Sequence, residues 1–167
     1  AVVRALRARG HDVLVVDDFS RDGDEVARAA TAASAGVFRQ PENRGPAAAR
    51  NAGLLHTTGE LVAFVDSDCV VTPGWLAGLV PHFADPLVAV VAPRVVPSDG
   101  GGRLLARHEA ARSALDMGRA AEQVRPGARL SFVPSAAMVV RRAALTGSGF
   151  DESLRLGEDV DLVWRLV

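Results

Sequence analysis

The sequence contains no lysine and only one cysteine, Cys69. All 19 basic side chains are therefore arginine, and 20 acidic side chains balance them to a formal net charge of −1. A nearly neutral chain sets up no broad positive field, which argues against a nucleic-acid-binding surface. Because one cysteine cannot form an internal disulfide, the composition gives no indication of an oxidising compartment.

Long hydrophobic runs are also missing. No window is apolar over the length of a membrane span, and the N-terminus lacks the zones of a signal peptide. We therefore expect a soluble, cytoplasmic chain whose membrane association, where it exists, is made by segments outside it. The chain lacks an initiator Met and begins and ends within helical patterns, which favours a fragment of a longer protein. Its 167 residues suffice for one domain with a core.

Helical and strand patterns alternate through the first 97 residues. The first helix is closed by Gly10, and the Thr72-Pro73 pair predicts the start of the last one. This order favours a mainly parallel sheet covered by helices, in three α/β/α layers. The predicted helices cover residues 1–9, about 22–33, 46–56 and about 73–83, and the predicted strands cover 13–16, 37–39, 61–68 and 87–93.

The pattern changes after residue 97. We predict a loop at 98–102, a helix at 104–117, a strand from 130 to 142 bent at 134–136, and a turn at 147–149. A helix follows Glu158, with Val160, Val163, Trp164 and Val167 as its core stripe. Asp161 and Arg165 lie one turn apart and predict a surface ion pair.

Asp66 and Asp68 follow the most apolar predicted strand. Side chains alternate along a strand, so the two carboxylates are expected on one face at the carboxyl edge of the sheet. Oxygen ligands in such a place suit a divalent cation with a phosphorylated substrate. The same D-x-D spacing at Asp22/Asp24 and Asp159/Asp161 falls on helices, where residues two apart do not face each other. The alternative for Asp66 and Asp68 is a solvated turn.

Three further places carry candidate functional residues. Asp17 and Asp18 end the first strand, although helix capping is an alternative for Asp18. Arg50 lies on the third helix, where a surface or ion-paired helix residue is the alternative. Glu158 and Asp159 begin the last helix, where a capping acid is the alternative.

Together these motifs resemble the family-two glycosyltransferases of the GT-A fold. The matching stretches, in family order, are Val15-Val16-Asp17-Asp18-Phe19-Ser20, Asn43-Arg44-Gly45-Pro46-Ala47-Ala48-Ala49-Arg50-Asn51-Ala52-Gly53, Asp66-Ser67-Asp68 and Gly157-Glu158-Asp159-Val160-Asp161-Leu162. The resemblance implies a single GT-A catalytic domain over residues 1–167, truncated at both ends. The nucleotide-sugar-binding part covers about 1–97, and the acceptor and catalytic part covers about 98–167.

The resemblance also implies a metal-dependent hexosyltransferase that binds a nucleotide sugar. Asp17 would recognise uracil and Asp18 would support its turn, while Arg50 would balance the diphosphate charge. Asp68 is expected to bind Mg²⁺ or Mn²⁺, and Asp66 to contact ribose or metal-bound water. Neither ion is preferred, because both accept oxygen ligands in this geometry.

Inverting transfer requires one general base opposite the leaving group. By this reasoning Asp159 is the base, and Glu158 positions substrate or Asp159.

A narrower resemblance rests on four further stretches: Val91-Ala92-Pro93-Arg94-Val95-Val96, Arg107-His108-Glu109-Ala110-Ala111-Arg112-Ser113, Val133-Pro134-Ser135-Ala136-Ala137-Met138 and Phe150-Asp151-Glu152-Ser153-Leu154-Arg155. They are similar to members that glycosylate a peptide-derived redox cofactor, which implies glucose transfer from UDP-glucose to a hydroxyl of that small molecule. A transferase for a cell-envelope glycan and a catalytically silent nucleotide-sugar-binding module remain alternatives.

Overall fold

The computed structural model describes residues 2–97, 113, 115–145, 147 and 149–167. The predicted loop at 98–102, most of the predicted helix at 104–117 and Ser148 of the predicted turn lie outside these residues. Residues 115–117 form a turn and irregular chain instead of the predicted helix. The main elements are α1 (Val2–Arg7), β1 (Leu14–Asp17), α2 (Gly23–Thr31), β2 (Gly36–Arg39), α3 (Pro46–Leu55), β3 (Leu61–Val65), α4 (Trp75–Leu79), β4 (Val90–Val91), β5 (Ala137–Arg141) and α5 (Glu158–Leu166). Short 3₁₀ helices cover Val80–Ala84 and Arg142–Ala144.

The strands pair in two groups. β1 and β2 are parallel, with Leu14 opposite Gly36 and Asp17 opposite Arg39. β5 lies between β3 and β4 and runs antiparallel to both. The expected parallel arrangement therefore holds for β1 and β2, whereas the pairing around β5 is antiparallel.

Two predicted strands are shorter than their apolar patterns. The predicted strand at 87–93 is reduced to Val90–Val91. No strand forms at residues 131–133, although Val133 is buried. An apolar run indicates that a segment is buried, but it does not show that the segment pairs with another strand. Here Val133 is buried without strand hydrogen bonds.

The start of α4 also differs from the prediction. Thr72 and Pro73 precede the helix instead of opening it, and Gly74 occupies the N-cap with a φ of 76°. This left-handed conformation suits glycine, which has no Cβ to clash. The helix therefore begins at Trp75.

β5 forms the centre of the core. Met138, Val139 and Val140 are almost completely buried, which shows that both faces of the strand are covered. Met138 and Val140 pack in a cluster that also contains Ala47, Phe64, Phe150 and Leu162. Val139 packs on the opposite face with Leu79 and Phe83. Two clusters of core residues therefore meet at β5, one on each of its faces.

The buried face of α5 differs from the predicted stripe. Leu162 and Val163 are fully buried, whereas Trp164 and Val167 are more than half exposed. The predicted ion pair between Arg165 and Asp161 is present at 2.8 Å. Trp164 satisfies its indole N–H by donating to the Ser131 carbonyl over 2.7 Å, so its ring lies across the surface instead of filling the core.

The side-chain amide of Asn51 joins α3 to the segment before α5. Its Nδ2 donates to the Phe150 carbonyl over 2.8 Å, and its Oδ1 accepts the Phe150 N–H over 2.8 Å. A Cβ on Gly149 would lie 2.2 Å from that Oδ1. The close packing at Gly149 therefore depends on the absence of a side chain.

Within the described parts of the chain, no helix has the length and apolar character required to cross a membrane.

Candidate active site

Asp17, the last residue of β1, is a buried carboxylate. Its Oδ1 accepts the Ser20 N–H over 2.9 Å, and its Oδ2 lies 3.3 Å from Nη1 of Arg39. Hydrogen bonding by Ser20 lowers the pKa of Asp17, burial opposes that shift, and the Arg39 charge adds to the lowering. Only 2% of the Asp17 side chain is exposed, and its Oδ2 is buried without a hydrogen-bond partner among the described residues. Its nucleotide-recognition role stays a prediction.

Asp18 organises the loop that enters α3. Its Oδ1 accepts from Nε2 of Gln40 over 2.6 Å and from the Arg44 N–H over 2.8 Å. Its Oδ2 accepts the Gly45 N–H over 2.8 Å. Gly45 is the N-cap of α3 and has a φ of 87°. Asp18 therefore joins the end of β1 to the start of the helix that carries Arg50. Its predicted support of the nucleotide turn stays a prediction.

The two acids of the predicted metal motif lie in a turn beyond β3. The strand ends at Val65, so the expectation that Asp66 and Asp68 share a strand face is wrong. The Asp66 N–H donates to the Ala136 carbonyl over 2.9 Å, and the Cys69 N–H donates to the Asp66 carbonyl over 3.0 Å. These bonds fix the turn, and the exposed Asp68 carboxylate makes no hydrogen bond or ion pair with any described residue.

Cys69 completes this turn. Its thiol donates to the Ala136 carbonyl over 3.3 Å. Burial, followed by the charges of Asp68 and Asp66, raises the pKa of the thiol. The side chain is therefore a neutral packing group next to the two acids.

Arg50 connects α5 to the turn that carries Asp66 and Asp68, which we call the metal turn after its predicted role. Its Nη2 lies 3.2 Å from Oδ1 of Asp66, and its Nη1 lies 2.8 Å from Oε1 of Glu158. The guanidinium also lies over the Phe150 ring, 5.4 Å from its centroid. Only 13% of the Arg50 side chain is exposed, so Arg50 is a largely buried, ion-paired residue of α3, and its predicted contact with the diphosphate stays a prediction.

Asp159 lies in the first turn of α5 with both carboxylate oxygens engaged. Oδ1 accepts the Val160 N–H over 2.9 Å. Oδ2 accepts the Ser135 N–H over 3.1 Å and lies 3.4 Å from the Ser135 hydroxyl. These donors fix the rotamer of Asp159. Oδ2 accepts two hydrogen bonds from Ser135, whereas Oδ1 accepts one and keeps a lone pair for a further proton.

Residues 135 and 136 join the two acidic motifs. Ser135 binds Asp159, while the carbonyl of the next residue, Ala136, accepts from Asp66. β5 begins directly afterwards, and its first residue lies opposite Val65 of β3. The small side chains at this bend, noted from the sequence, allow the backbone to reach both motifs.

The structure thus brings four of the predicted residues into one connected set. Arg50, Asp66 and Glu158 are in direct contact, and Asp159 joins them through residues 135 and 136. Asp68 lies in the same turn as Asp66, whereas Asp17 and Asp18 form a neighbouring group at the end of β1. Ser135 and Gln40 were not predicted as site residues. The feature that marks these two residues is the burial of a polar side chain, and burial of this kind cannot be recognised in the sequence.

The residues present suit a divalent cation only in part. No group of three or more His, Cys, Asp or Glu side chains converges on one point within the described ranges. The exposed Asp68 carboxylate has free oxygen lone pairs, and Asp66 lies two positions away. A hard cation that keeps several waters and takes phosphate oxygens matches this small donor set.

The sequence profile of glycosyl transferase family 2 matches residues 1–147. The chain belongs to glycosyl transferase family 2. The pre-mycofactocin glycosyltransferase of Mycobacterium tuberculosis is 47% identical over 163 residues, which are 95% of this chain and 34% of that protein. The succinoglycan biosynthesis protein ExoU of Rhizobium meliloti is 33% identical over 99% of this chain and 51% of its own length. The chain thus spans about half or less of these curated relatives.

A solved structure of a glycosyltransferase has a similar fold. It is the mannosyltransferase of Pyrobaculum calidifontis in complex with GDP-Man and Mn²⁺, which matches with a TM-score of 0.60 and 27% identity. The match covers 89% of this chain and 40% of the mannosyltransferase. The α/β domain therefore has the GT-A fold of the solved glycosyltransferases, as the sequence resemblance predicted.

Proposed function

We propose that the complete protein is an inverting, metal-dependent transferase that moves glucose from UDP-glucose to a hydroxyl of mycofactocin or its precursor. The observation that carries this proposal is the 47% identity to the pre-mycofactocin glycosyltransferase over 95% of the chain. The joined acidic motifs of the site support a transferase, because a nucleotide-binding module has no use for a positioned base.

The departing diphosphate is the main electrostatic problem of the reaction. A divalent cation at Asp68 would supply charge stabilisation to the leaving group. Asp66 would contact the ribose or a water on that ion, and the turn bonds to Ala136 would keep both acids in place. The Mn²⁺ in the mannosyltransferase complex supports this type of donor site.

Asp159 would remove the proton from the acceptor hydroxyl. Its carboxylate is held by Ser135 and Val160, so it is oriented before the acceptor binds. One base suffices for an inverting displacement, whereas a retaining enzyme requires a second carboxylate as nucleophile. Glu158 is paired with Arg50, which leaves Asp159 as the acid available for proton transfer.

The nucleotide would lie near the end of β1 and the start of α3. Asp17 and Asp18 hold the two turns there, and the predicted uracil contact belongs to Asp17. Asp18 fixes the backbone at the start of α3, and Arg50 of the same helix contacts Asp66. The helix would therefore set the distance between the nucleotide and the metal turn.

The second candidate is a transferase for a cell-envelope glycan. The 33% identity to the succinoglycan biosynthesis protein favours it, because that match also spans the chain. The two candidates differ in the acceptor and share the donor site.

A donor and acceptor panel tests both candidates with the complete protein. We expect UDP release and a glucose-sized mass gain when UDP-glucose and the mycofactocin precursor are combined with Mg²⁺ or Mn²⁺. Transfer only to a lipid-linked glycan would favour the second candidate. Tight UDP-glucose binding without turnover on either acceptor would identify a nucleotide-sugar-binding module instead.

A further inference from the structure

Arg50 has both terminal nitrogens occupied by carboxylates of different motifs. Glu158 lies 2.8 Å from Nη1, and Asp66 lies 3.2 Å from Nη2. The ring of Phe150 covers the guanidinium at 5.4 Å. An arginine that binds a diphosphate presents its fork to the ligand, whereas this fork points at two protein acids.

We propose that Arg50 is a positioning residue that holds the metal turn and the start of α5 in one geometry. This inference rests on the proposed function for the reaction it serves. It replaces the expected contact between Arg50 and the diphosphate with a contact between two parts of the protein. The distance between donor and base would then depend on Arg50.

The charges explain why one arginine is required at this point. The Glu158 side chain is 9% exposed, and a carboxylate so deeply buried needs a charged partner. Asp66 carries the same sign as Glu158, so the two acids repel each other without the guanidinium between them. Arg50 permits the acidic metal turn and the acidic helix start to lie close together.

The placement of Arg50 gives it this reach. Arg50 is the fifth residue of α3, and Asp18 fixes the start of that helix. Asn51, the residue after Arg50, is hydrogen-bonded to Phe150. The side chain therefore extends from a helix that is anchored on two sides. Its position is set by the protein before any ligand binds.

Arg50→Lys separates positioning from a general need for positive charge. Lysine keeps the charge but has one compact ammonium in place of a planar fork, so it is poorly suited to bridging two acids. Arg50→Met removes the charge at similar length. Arg129→Met is a matched control, because Arg129 is a 58% exposed surface residue paired with Glu122.

Steady-state kinetics of the complete protein provide the first test. We expect Arg50→Lys to lower kcat by about tenfold to 100-fold while the KM for the donor changes less than about threefold, because misplaced reacting groups reduce turnover. Arg129→Met should match the wild type. An Arg50→Lys protein with normal kcat, or one whose loss lies entirely in donor KM, overturns the positioning role.

Calorimetry with UDP and uridine provides a second readout that does not require turnover. A diphosphate contact predicts that Arg50→Met weakens UDP but not uridine. The positioning role predicts that the ratio of their dissociation constants stays within about threefold of the wild-type ratio, since direct phosphate contacts are unchanged. A UDP-selective loss of about tenfold or more would assign Arg50 to the diphosphate.

A double-mutant cycle between Arg50→Lys and Glu158→Gln tests the contact itself. Urea unfolding measures the midpoint concentration of each variant. The decrease in midpoint of the double variant should be smaller than the sum of the decreases of the two single variants, because both changes break the same contact. Additive losses would overturn the proposed link. This result stands even if no sugar transfer is found, so failure of the link is distinct from failure of the proposed function.

Discussion

The Ser135 N–H donates to Oδ2 of Asp159 over 3.1 Å and thereby connects the start of β5 to the first turn of α5. The next residue along the chain, Ala136, accepts the Asp66 N–H. Two consecutive residues thus hold Asp159, which we propose as the base, and Asp66, which we propose as part of the donor site. Predictions for both acids follow from this arrangement.

Asp159→Asn should abolish transfer and leave donor binding nearly unchanged. The amide keeps the size of the side chain but is not a base, so we expect kcat to fall by about 10²-fold to 10⁴-fold. The dissociation constant for UDP-glucose, measured by calorimetry, should stay within about twofold. Asp161→Asn on the same helix is the control, since Asp161 pairs with Arg165 on the surface. Near-normal turnover of Asp159→Asn would remove Asp159 from the role of base.

Asp68→Asn should remove the metal-dependent part of donor binding. The exposed carboxylate has no described protein partner, so its replacement should leave the fold intact while the cation loses a charged ligand. Calorimetry of UDP-glucose with and without Mn²⁺ measures the difference. Asp24→Asn, an exposed acid of α2, is the control. An unchanged gain in affinity on adding Mn²⁺ would refute the assignment of Asp68.

Asp18→Ala should destabilise the fold and weaken donor binding together. The carboxylate accepts from Gln40 and from two backbone N–H groups at the start of α3. Loss of charge-assisted bonds to partly buried groups should lower the free energy of unfolding by about 2 kcal/mol. Urea unfolding measures this change. Wild-type stability would show that the loop does not depend on Asp18.

Arg142→Met should lower stability without changing donor affinity. Arg142 donates to the carbonyls of Leu54 and Gly59 and to the Thr57 hydroxyl, which joins the end of α3 to the start of β3. We expect a loss of about 2 kcal/mol in the free energy of unfolding, because those acceptors lose a charged donor. Exposed Arg119→Met is the control. A loss of donor affinity at full stability would contradict this purely structural role.

Asp116 predicts a pH dependence at the acidic end. The hydrogen bonds from Arg94 and the Gly118 N–H lower the pKa of Asp116 from 3.8 to about 2. A lowered pKa in the folded state stabilises it above the unfolded value near 3.8, and this contribution is lost as the pH falls through about 2. The wild type should therefore unfold at higher urea than Asp116→Asn at pH 6.

The same comparison at low pH provides the check. The difference between the two proteins should shrink continuously from pH 4 towards pH 2. The pair between Arg94 and Asp116 is partly exposed, so the effect should also decrease at high salt. A difference that stays constant over this pH range would rule out ionisation of Asp116 as its source.

The sequence predicted the helices and strands up to β3 well, because apolar periodicity and residues such as Gly10 and Pro46 act locally. It did not predict that Asp66 and Asp68 leave the strand, since the end of β3 is set by pairing with β5, more than 70 residues later. The contact between Arg50 and Glu158 spans 108 positions and has no local signal. Contacts between distant segments therefore determine the end of β3 and the pairing of Arg50, and local periodicity does not predict them.

The side-chain amide of Asn51 donates to the carbonyl of Phe150 and accepts from its N–H. It thus makes the two hydrogen bonds that the backbone of a paired strand would make. A longer side chain at position 51 would not preserve that pairing, and any side chain at Gly149 would collide with it. Positions 51 and 149 should therefore change together as related sequences diverge. Across the family, asparagine at the first should accompany glycine at the second, and loss of one should relax selection on the other.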